Sequence, residues 1–383
     1  MKFSILQPDL LTALSAVAPA VAKRPVLPVL AHVLLDAHDG RLEISGTDLE
    51  QRIDVSACAR IEEGGAFTIP FRLAHDLVKA FPSERIDLEL RDNALHLECA
   101  KSEADVKGID ADEYPLPPTV NEDPVKFKLP ACDLLDAARL VALASADDES
   151  RPILTGVHIR SNGGENEPLV FAAADGFRLA VLEIPPSELR NWLPMSVTVP
   201  SKALADAAKL TDAAGPPVTL VVGHSFVRFA FEGATLTTQV LEGNFVNYKQ
   251  IIPNHHDTQA VVDRRELVRA LQSAAVVVKT DDAKVAHFRL AASDGYEPGL
   301  VNVSTVNEGG DEFEAELDAT VTGASLDVIA FGIPLLLDPL RGLNCDEVAI
   351  QTTQATRPGV VKPVGEKTLA YTYVIMPMHV RSE

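Results

Sequence analysis

Three segments of the chain place apolar residues at helical spacing, and each opens a longer stretch of alternating pattern. All three contain an acidic residue followed by a leucine and an alanine-rich apolar face. They cover residues 8–21, 131–145 and 264–278. The matching leucines, Leu10, Leu134 and Leu267, are 124 and 133 residues apart. This period has the size of a domain, so the pattern predicts three copies of one structural plan.

Strand-like runs follow each of these helices in the same order. In every copy two runs of β-forming residues flank a turn, at 42–48 and 49–57, at 169–175 and 177–184, and at 300–307 and 312–321. A further strand then leads through proline or glycine into a second helix, at 67–80, 197–210 and 326–343. Pro334 suits the first turn of such a helix, whereas Pro339 is expected to break or kink it.

Polar segments that contain proline separate the copies at residues 115–124 and 253–259. The expected domains are therefore 1–120, 126–254 and 259–383. Each copy would hold two helices and about eight short strands, which makes a two-layer domain. The predicted fold class is α+β, with helices packed on β-sheets in three repeated domains.

One hairpin corner of the middle copy has a composition suited to binding. Residues 171–181 read FAAADGFRLAV, which is an apolar strand, an Asp-Gly turn and a second strand. An aromatic residue, a guanidinium and a leucine follow the turn, at Phe177, Arg178 and Leu179. These side chains suit the grip of a peptide better than they suit catalysis.

The sequence carries no motif that would make the chain an enzyme. Its ten histidines are dispersed, and it lacks a GxxxxGK[ST] phosphate loop, a nucleophile elbow and an HExxH pair. Asp-Gly pairs such as Asp175-Gly176 are far more often turns than paired carboxylates. We therefore expect a non-catalytic protein that needs no cofactor and no metal.

Cysteine spacing and apolar runs indicate an intracellular protein. The four cysteines form no CxxC pair, no run of about 18 apolar residues occurs, and Gln7, Pro8 and Asp9 interrupt any signal-like segment. The net charge of −21 argues at first against a nucleic-acid partner, because phosphates are bound by Lys and Arg. The sum over the chain does not say, however, where the positive charges lie.

Six short sequences in a fixed order make the chain resemble the bacterial DNA polymerase III beta subunit, or sliding clamp, family over essentially its whole length. They are MKF at 1–3, KRPVLPVL at 23–30, GTDLE at 46–50, ADGFRLA at 174–180, LEGNFVNY at 241–248 and YVIMPM at 373–378. The resemblance implies a head-to-tail homodimer whose six domains form a ring, with helices lining the hole and strands forming the outer wall.

The same resemblance implies a function and a set of partners. It describes a processivity factor that encircles duplex DNA without sequence specificity and works in the cytoplasm, at the nucleoid. Its expected partners are the replicative DNA polymerase, the clamp loader and repair polymerases, which bind through short peptide motifs. The resemblance implies no cofactor and no membrane.

The distribution of charge along the chain agrees with such a ring. Six helical segments, at 7–24, 71–80, 131–145, 201–210, 264–279 and 331–343, together carry a net charge of +5, which leaves −26 on the rest. An acidic exterior would discourage adhesion of DNA outside the ring, while basic helices would let the duplex slide. The residues expected near DNA are Arg24, Arg72, Lys202 and Lys249 from the resemblance, and Arg264, Arg265 and Arg269 from the helix pattern.

Ring closure in the resemblance joins two strand edges of different subunits. A strand at about 99–109 of the first domain meets a strand at about 311–317 of the third domain, which removes two unpaired edges. The expected interface residues are Lys101, Val106 and Lys107 on one side and Asp311, Glu312 and Glu314 on the other.

The family binds partner peptides with leucine and aromatic anchors in a cleft between the second and third domains. Matched residue by residue, the cleft would be formed by Leu154, Ala174, Gly176, Phe177, Arg178, Leu179, Val246, Ile251, Val374, Met376 and Met378. Glycine would let a ligand backbone approach, and methionines would adapt to several partners.

Two alternatives to an ordinary peptide-binding cleft stay open for these residues. Phe177 and Val246 stand where the family usually has histidine and proline. The alternative function is therefore a specialised second clamp, such as a drug-tolerant paralogue, with altered partner or inhibitor binding. Without the resemblance, Phe177, Met376 and Met378 would be interpreted as ordinary core or strand packing.

Overall fold

A computed structural model describes residues 1–117, 124–148, 150–164, 167–186, 193–279, 284–292, 299–365 and 369–378. Residues 118–123 of the separating segment predicted at 115–124, and with them the predicted end of the first domain at residue 120, lie outside the described residues. Six α-helices lie within the described part, two in each predicted copy. They are α1 (Gln7–Val17), α2 (Phe71–Ala80), α3 (Ala131–Leu140), α4 (Ser201–Ala208), α5 (Arg264–Val277) and α6 (Ile333–Gly342).

Local sequence explains where several helices begin. Proline occupies the first turn of α1 and of α6, where a missing amide donor costs nothing. The Asp263 side chain caps α5 by accepting a hydrogen bond from the Glu266 amide at 2.9 Å. Among the residues described, no helix combines the length and the apolar character needed to cross a membrane.

The described strands also follow the predicted order. The first copy holds β1 (Lys2–Leu6), β2 (His32–His38), β3 (Arg41–Thr47), β4 (Gln51–Cys58), β5 (Arg60–Glu63), β6 (Gly65–Pro70), β7 (Arg85–Arg91), β8 (Ala94–Cys99), β9 (Ser102–Lys107) and β10 (Ile109–Asp110). The second holds β11 (Val125–Leu129), β12 (Gly156–Ser161), β13 (Leu169–Ala174), β14 (Arg178–Ile184), β15 (Met195–Pro200), β16 (Val218–Val222), β17 (Phe226–Phe231) and β18 (Ala234–Gln239). The third holds β19 (Thr258–Asp263), β20 (Val285–Ala291), β21 (Leu300–Val306), β22 (Glu312–Gly323), β23 (Leu326–Gly332), β24 (Glu347–Thr352), β25 (Gly359–Val364) and β26 (Ala370–Ile375).

The chain divides into two compact units, and each has its own sheets. One unit, Met1–Leu135 with Lys202–Val240, holds a five-stranded sheet of order β5-β1-β7-β8-β9 and a nine-stranded sheet of order β10-β6-β2-β3-β4-β18-β17-β16-β11. The other, Asp136–Ser201 with Leu241–Glu383, holds a 12-stranded sheet of order β15-β12-β13-β14-β26-β25-β24-β19-β22-β21-β20-β23. The strands of the middle copy are thus shared, because β18 pairs with β4 and β14 pairs with β26.

Burial along the strands explains their sequence patterns. On β2 the buried residues alternate with partly exposed ones, as expected where one face of a sheet covers the core. Every residue of β13, in contrast, is buried, and its sequence LVFAAA has no polar position. This strand is therefore the apolar support on which the turn at 175–178 rests.

Helix α6 continues through Pro339 to Gly342, so of the two outcomes expected at this proline, a break does not occur. Proline cannot donate a hydrogen bond to the carbonyl four residues before it, which here belongs to Leu335. The Tyr373 hydroxyl of β26 supplies that donor and reaches the Leu335 oxygen at 2.7 Å. A tertiary contact has replaced the missing helical bond, and no local pattern could have shown it.

Tyr373→Phe should lower the free energy of unfolding by about 1–3 kcal/mol, since it leaves a buried carbonyl without its donor. Urea midpoints of the variant and the unaltered protein measure this loss. In a Pro339→Ala background the helix regains its own amide donor, so the same substitution should cost clearly less there. An equal cost in both backgrounds would show that the hydroxyl does not serve Leu335.

Candidate functional site

The turn at residues 175–178 is fixed by its own aspartate. Asp175 Oδ1 accepts hydrogen bonds from the amides of Phe177 at 2.8 Å and Arg178 at 2.9 Å. Gly176 has φ of +97°, a region that favours glycine, and a Cβ there would meet nothing within 4 Å. The turn is therefore rigid, and the space beside Gly176 is open.

Arg178 ties this turn to helix α6. Its Nε donates to Asp175 Oδ2 at 2.8 Å and its Nη1 donates to Asp338 Oδ2 at 3.1 Å. Only 13% of the Arg178 side chain is exposed. Burial raises the pKa of the Tyr373 hydroxyl, which interacts with the guanidinium, so this hydroxyl stays protonated. The arginine is thus a structural link between the turn and the helix, and its contact with a ligand stays a prediction.

Phe177 projects from this rigid turn into solvent, with 62% of its surface exposed. A single exposed apolar side chain is ordinary on a protein surface, so the role of Phe177 depends on what lies beside it. A cavity of about 350 Å³ lies beside it, and its lining residues are Ala146, Asp148, Ser150, Arg151, Leu154, Asp175, Gly176 and Phe177. The cavity brings together three of the predicted cleft residues, Leu154, Gly176 and Phe177.

Three other predicted cleft residues lie in the hydrophobic core beneath the turn. Ala174, Leu179 and Val374 are at most 5% exposed and belong to a buried cluster that includes Tyr248. The expectation that they contact a ligand directly does not hold for this structure, because adjacent strands turn them to the covered face of the sheet. They belong to the core cluster against which Phe245 and Ile252 pack.

The remaining predicted cleft residues are accessible. Val246, Ile251 and Met376 are 36%, 39% and 40% exposed, and Met378 is half-buried. The Met376 amide donates to the Phe177 carbonyl at 2.8 Å, which places this methionine next to the turn. Ile251 also lines a second cavity of about 590 Å³.

The segment that carries Val246 is anchored by its neighbour Phe245. Its ring stacks on the ring of His158 with centroids 4.8 Å apart, and Phe245 also packs against the core cluster. Burial, with a smaller contribution from Arg160, lowers the pKa of His158 to about 4, so the imidazole is neutral near pH 7. The stack therefore holds the segment by apolar packing.

Most residues predicted to lie near DNA are exposed. Arg24, Arg72, Lys202, Lys249, Arg265 and Arg269 are all open to solvent. Lys202 donates to the Pro19 carbonyl at 3.3 Å and to Asp48 Oδ2 at 3.5 Å, but 62% of its side chain stays exposed. On α5, Arg265 and Arg269 share the exposed face opposite the buried Leu267 and Leu271.

Arg264 does not fit the prediction made for it. Its Nε donates to the Cys345 carbonyl at 2.8 Å and its Nη1 donates to the Leu340 carbonyl at 3.0 Å. The guanidinium thus satisfies carbonyls at the end of α6 and just beyond it, which the helix leaves without amide donors. Arg264 holds two helices together and is not a free cation.

The two strand edges predicted to meet between subunits both lack a partner within the described chain. Strand β9 is the last strand of its sheet, paired only with β8. Residues 312–318 of β22 pair with β21 on one side, while β19 pairs only with residues 319–323. Lys101, Lys107, Asp311, Glu312 and Glu314 are exposed along these edges.

Val106 does not fit the prediction made for it, and two valines outside the predicted set are exposed. Val106 is only 1% exposed, since alternation on β9 turns it into the core of its own sheet, so its side chain cannot contact another subunit. Val276 and Val306, in contrast, are 71% and 53% exposed, and Val306 pairs with Glu312 at the open edge. A valine on the polar face of a predicted helix was the available signal for Val276.

Comparisons with known proteins give one consistent result. Three family models match consecutive parts of the chain: the DNA polymerase III beta subunit N-terminal domain over residues 1–118, its central domain over 128–247 and its C-terminal domain over 249–379. A beta sliding clamp of Synechococcus elongatus is 33% identical over 387 residues, which cover 100% of this chain and 100% of the relative.

Solved structures agree with this match. The crystal structure of a DNA polymerase sliding clamp from Bacillus subtilis superposes with a TM-score of 0.90 at 24% identity, covers 99% of both chains, and supports the fold. A sliding clamp from Pseudomonas aeruginosa, bound to griselimycin in its crystal structure, has a TM-score of 0.89 at 27% identity over 99% of this chain and 100% of its own.

Proposed function

The chain belongs to the DNA polymerase III beta subunit family, and from that premise we propose which of its surfaces meet DNA, a second subunit and partner proteins. As a member it is a sliding clamp, a non-catalytic accessory subunit that makes a DNA polymerase processive. Its three clamp domains are mixed α+β. The domain limits 1–120, 126–254 and 259–383 remain our proposal.

We propose that the exposed basic residues of the helices face an encircled duplex in the cytoplasm. The observation that carries this proposal is the separation of charge, +5 on the helical segments against −26 elsewhere. Arg265 and Arg269 are its clearest members, because both are exposed on one face of α5. Contacts of this kind neutralise phosphates without reading bases, which suits a clamp that slides.

Replacing Arg265 and Arg269 together with glutamine should weaken the salt dependence of DNA binding. Each phosphate contact contributes about 0.9 to the slope of log K against log salt, so the slope should shrink by up to about 2. Binding to a short duplex over about 50–200 mM salt measures it. Lys126 and Lys128, exposed on β11, provide a control pair with the same loss of charge. If both pairs change the slope equally, the assignment of α5 is wrong.

We further propose that β9 and β22 of different subunits pair head to tail and close a homodimeric ring. Both edges are unpaired within the described chain, and one carries lysines at 101 and 107 while the other carries carboxylates at 311, 312 and 314. Val276 and Val306 add an exposed apolar contact beside the acidic edge. Pairing would satisfy the open backbone groups and bury these valines.

We propose that the surface around Phe177 binds short peptides of the replicative polymerase, the clamp loader and repair polymerases. Support comes from the exposed aromatic ring on a rigid turn, the cavity beside it and the exposed methionine and isoleucine nearby. A sliding clamp from Pseudomonas aeruginosa is bound to griselimycin in its crystal structure, which makes griselimycin a ligand to try here. No specific observation favours the alternative of a specialised second clamp.

A further inference from the structure

The arginine of the proposed peptide cleft is already neutralised by the protein. Arg178 bonds to Asp175 at 2.8 Å and to Asp338 at 3.1 Å, and 13% of its side chain is exposed. Two carboxylates therefore share one guanidinium, which leaves an excess of negative charge at this wall. A carboxylate of a bound peptide placed here would meet repulsion where the sequence suggests an attractive cation.

Asp338 connects the cluster of Asp175, Arg178 and Asp338 to helix α6. It lies 160 residues from Arg178 in the chain, on α6, directly before Pro339. Tyr373, from the strand next to the turn, bonds to the Leu335 carbonyl of the same helix. The helix, the strand and the turn are thus held by one set of polar contacts.

The cluster also forms hydrogen bonds with the backbone that carries the Phe177 ring. Arg178 fixes Asp175, and Asp175 in turn accepts the amide of Phe177 at 2.8 Å. The Phe177 carbonyl accepts the Met376 amide at 2.8 Å. Asp338 is therefore connected, through Arg178 and Asp175, to the backbone of Phe177 and from there to the backbone of Met376.

We propose that Asp338 is a specificity-determining positioning residue of the cleft. By neutralising Arg178 it makes the cleft prefer partner peptides with an uncharged side chain beside the aromatic anchor and reject those with a carboxylate there. This inference rests on the proposed peptide-binding function. It assigns Asp338 an effect on selectivity, which a purely structural ion pair would not have.

Two series of short synthetic peptides test the proposal. All peptides carry fixed leucine and phenylalanine anchors, and every other position in turn holds Gln or Glu. Every position is varied because Arg151 is exposed at the cavity beside Phe177 and favours an acidic side chain at positions close to it. With the unaltered protein, one position next to the phenylalanine should show at least ~fivefold weaker binding for Glu than for Gln. In Asp338→Asn this penalty should disappear or invert.

Matched variants separate selectivity from stability. Asp327→Asn removes the same charge from an exposed position on β23 and should leave the penalty in place. Asp338→Ser replaces the first variant if Asn does not fold, and thermal unfolding of each variant checks folding. The inference about Asp338 would be overturned if a folded Asp338 variant kept the penalty, or if it lost the same affinity for all peptides. Either result would leave the proposed peptide cleft standing. If the unaltered protein binds no probe, the proposed peptide cleft fails and this inference fails with it.

Discussion

Val276→Asp should dissociate the proposed dimer, raising its dissociation constant at least ~100-fold, or about 3 kcal/mol. Val276 is 71% exposed on the last turn of α5, so the substitution costs the isolated subunit little. In the dimer, an aspartate there would lose its water beside the carboxylates of β22. Three carboxylates already face the two lysines of β9 in the proposed dimer, so the added negative charge would stay unbalanced. Sedimentation velocity across a range of protein concentrations measures the change.

A matched control makes this result specific. Leu116 is 90% exposed and belongs to none of the proposed surfaces, so Leu116→Asp should leave the dimer intact. Circular dichroism of both variants confirms that the subunit is folded. A Val276→Asp protein that stays dimeric at low concentration would show that the edge of β22 does not close the ring.

Phe177→Ala should reduce the affinity for a peptide with leucine and aromatic anchors by about 30- to 1,000-fold, while the dimer and the stability stay the same. Aromatic side chains at the centre of an interface commonly contribute about 2–4 kcal/mol of binding free energy. Because 62% of Phe177 is exposed in the free protein, its removal leaves no cavity in the core. Fluorescence anisotropy with a labelled peptide measures the affinity.

Leu116→Ala is the control for this prediction, since it also shortens an exposed apolar side chain but belongs to none of the proposed surfaces. Its peptide affinity should equal that of the unaltered protein. If Phe177→Ala binds the peptide as well as the control does, the cleft lies elsewhere on the chain.

The repeated plan could be predicted from the sequence because local patterns determine it. The helix expected at 264–278 is α5 at Arg264–Val277, and the strand expected at 169–175 is β13 at Leu169–Ala174. Apolar periodicity fixes such elements before tertiary contacts matter. The three-domain α+β fold predicted from the repeats is confirmed by the family match.

The errors fall where a distant residue decides the outcome. Pro339 stays helical because Tyr373 serves the carbonyl that proline leaves free, and Arg264 is occupied by carbonyls near the end of α6. Val106, Leu179 and Val374 turn inward because of strand register, which the residues alone did not settle. Asp338 could not have been linked to Arg178 without the fold.

If this chain forms a ring around DNA, its retention should depend on whether the DNA is circular or linear. The dimer should be loaded by a clamp loader and ATP onto nicked circular DNA, isolated by gel filtration, and then treated with an enzyme that cuts the circle once. We predict that the protein stays on the circle at moderate salt and leaves as soon as the DNA is linear. Equal retention on circular and linear DNA would contradict the account, because a protein bound by surface contacts alone has no reason to leave through an end.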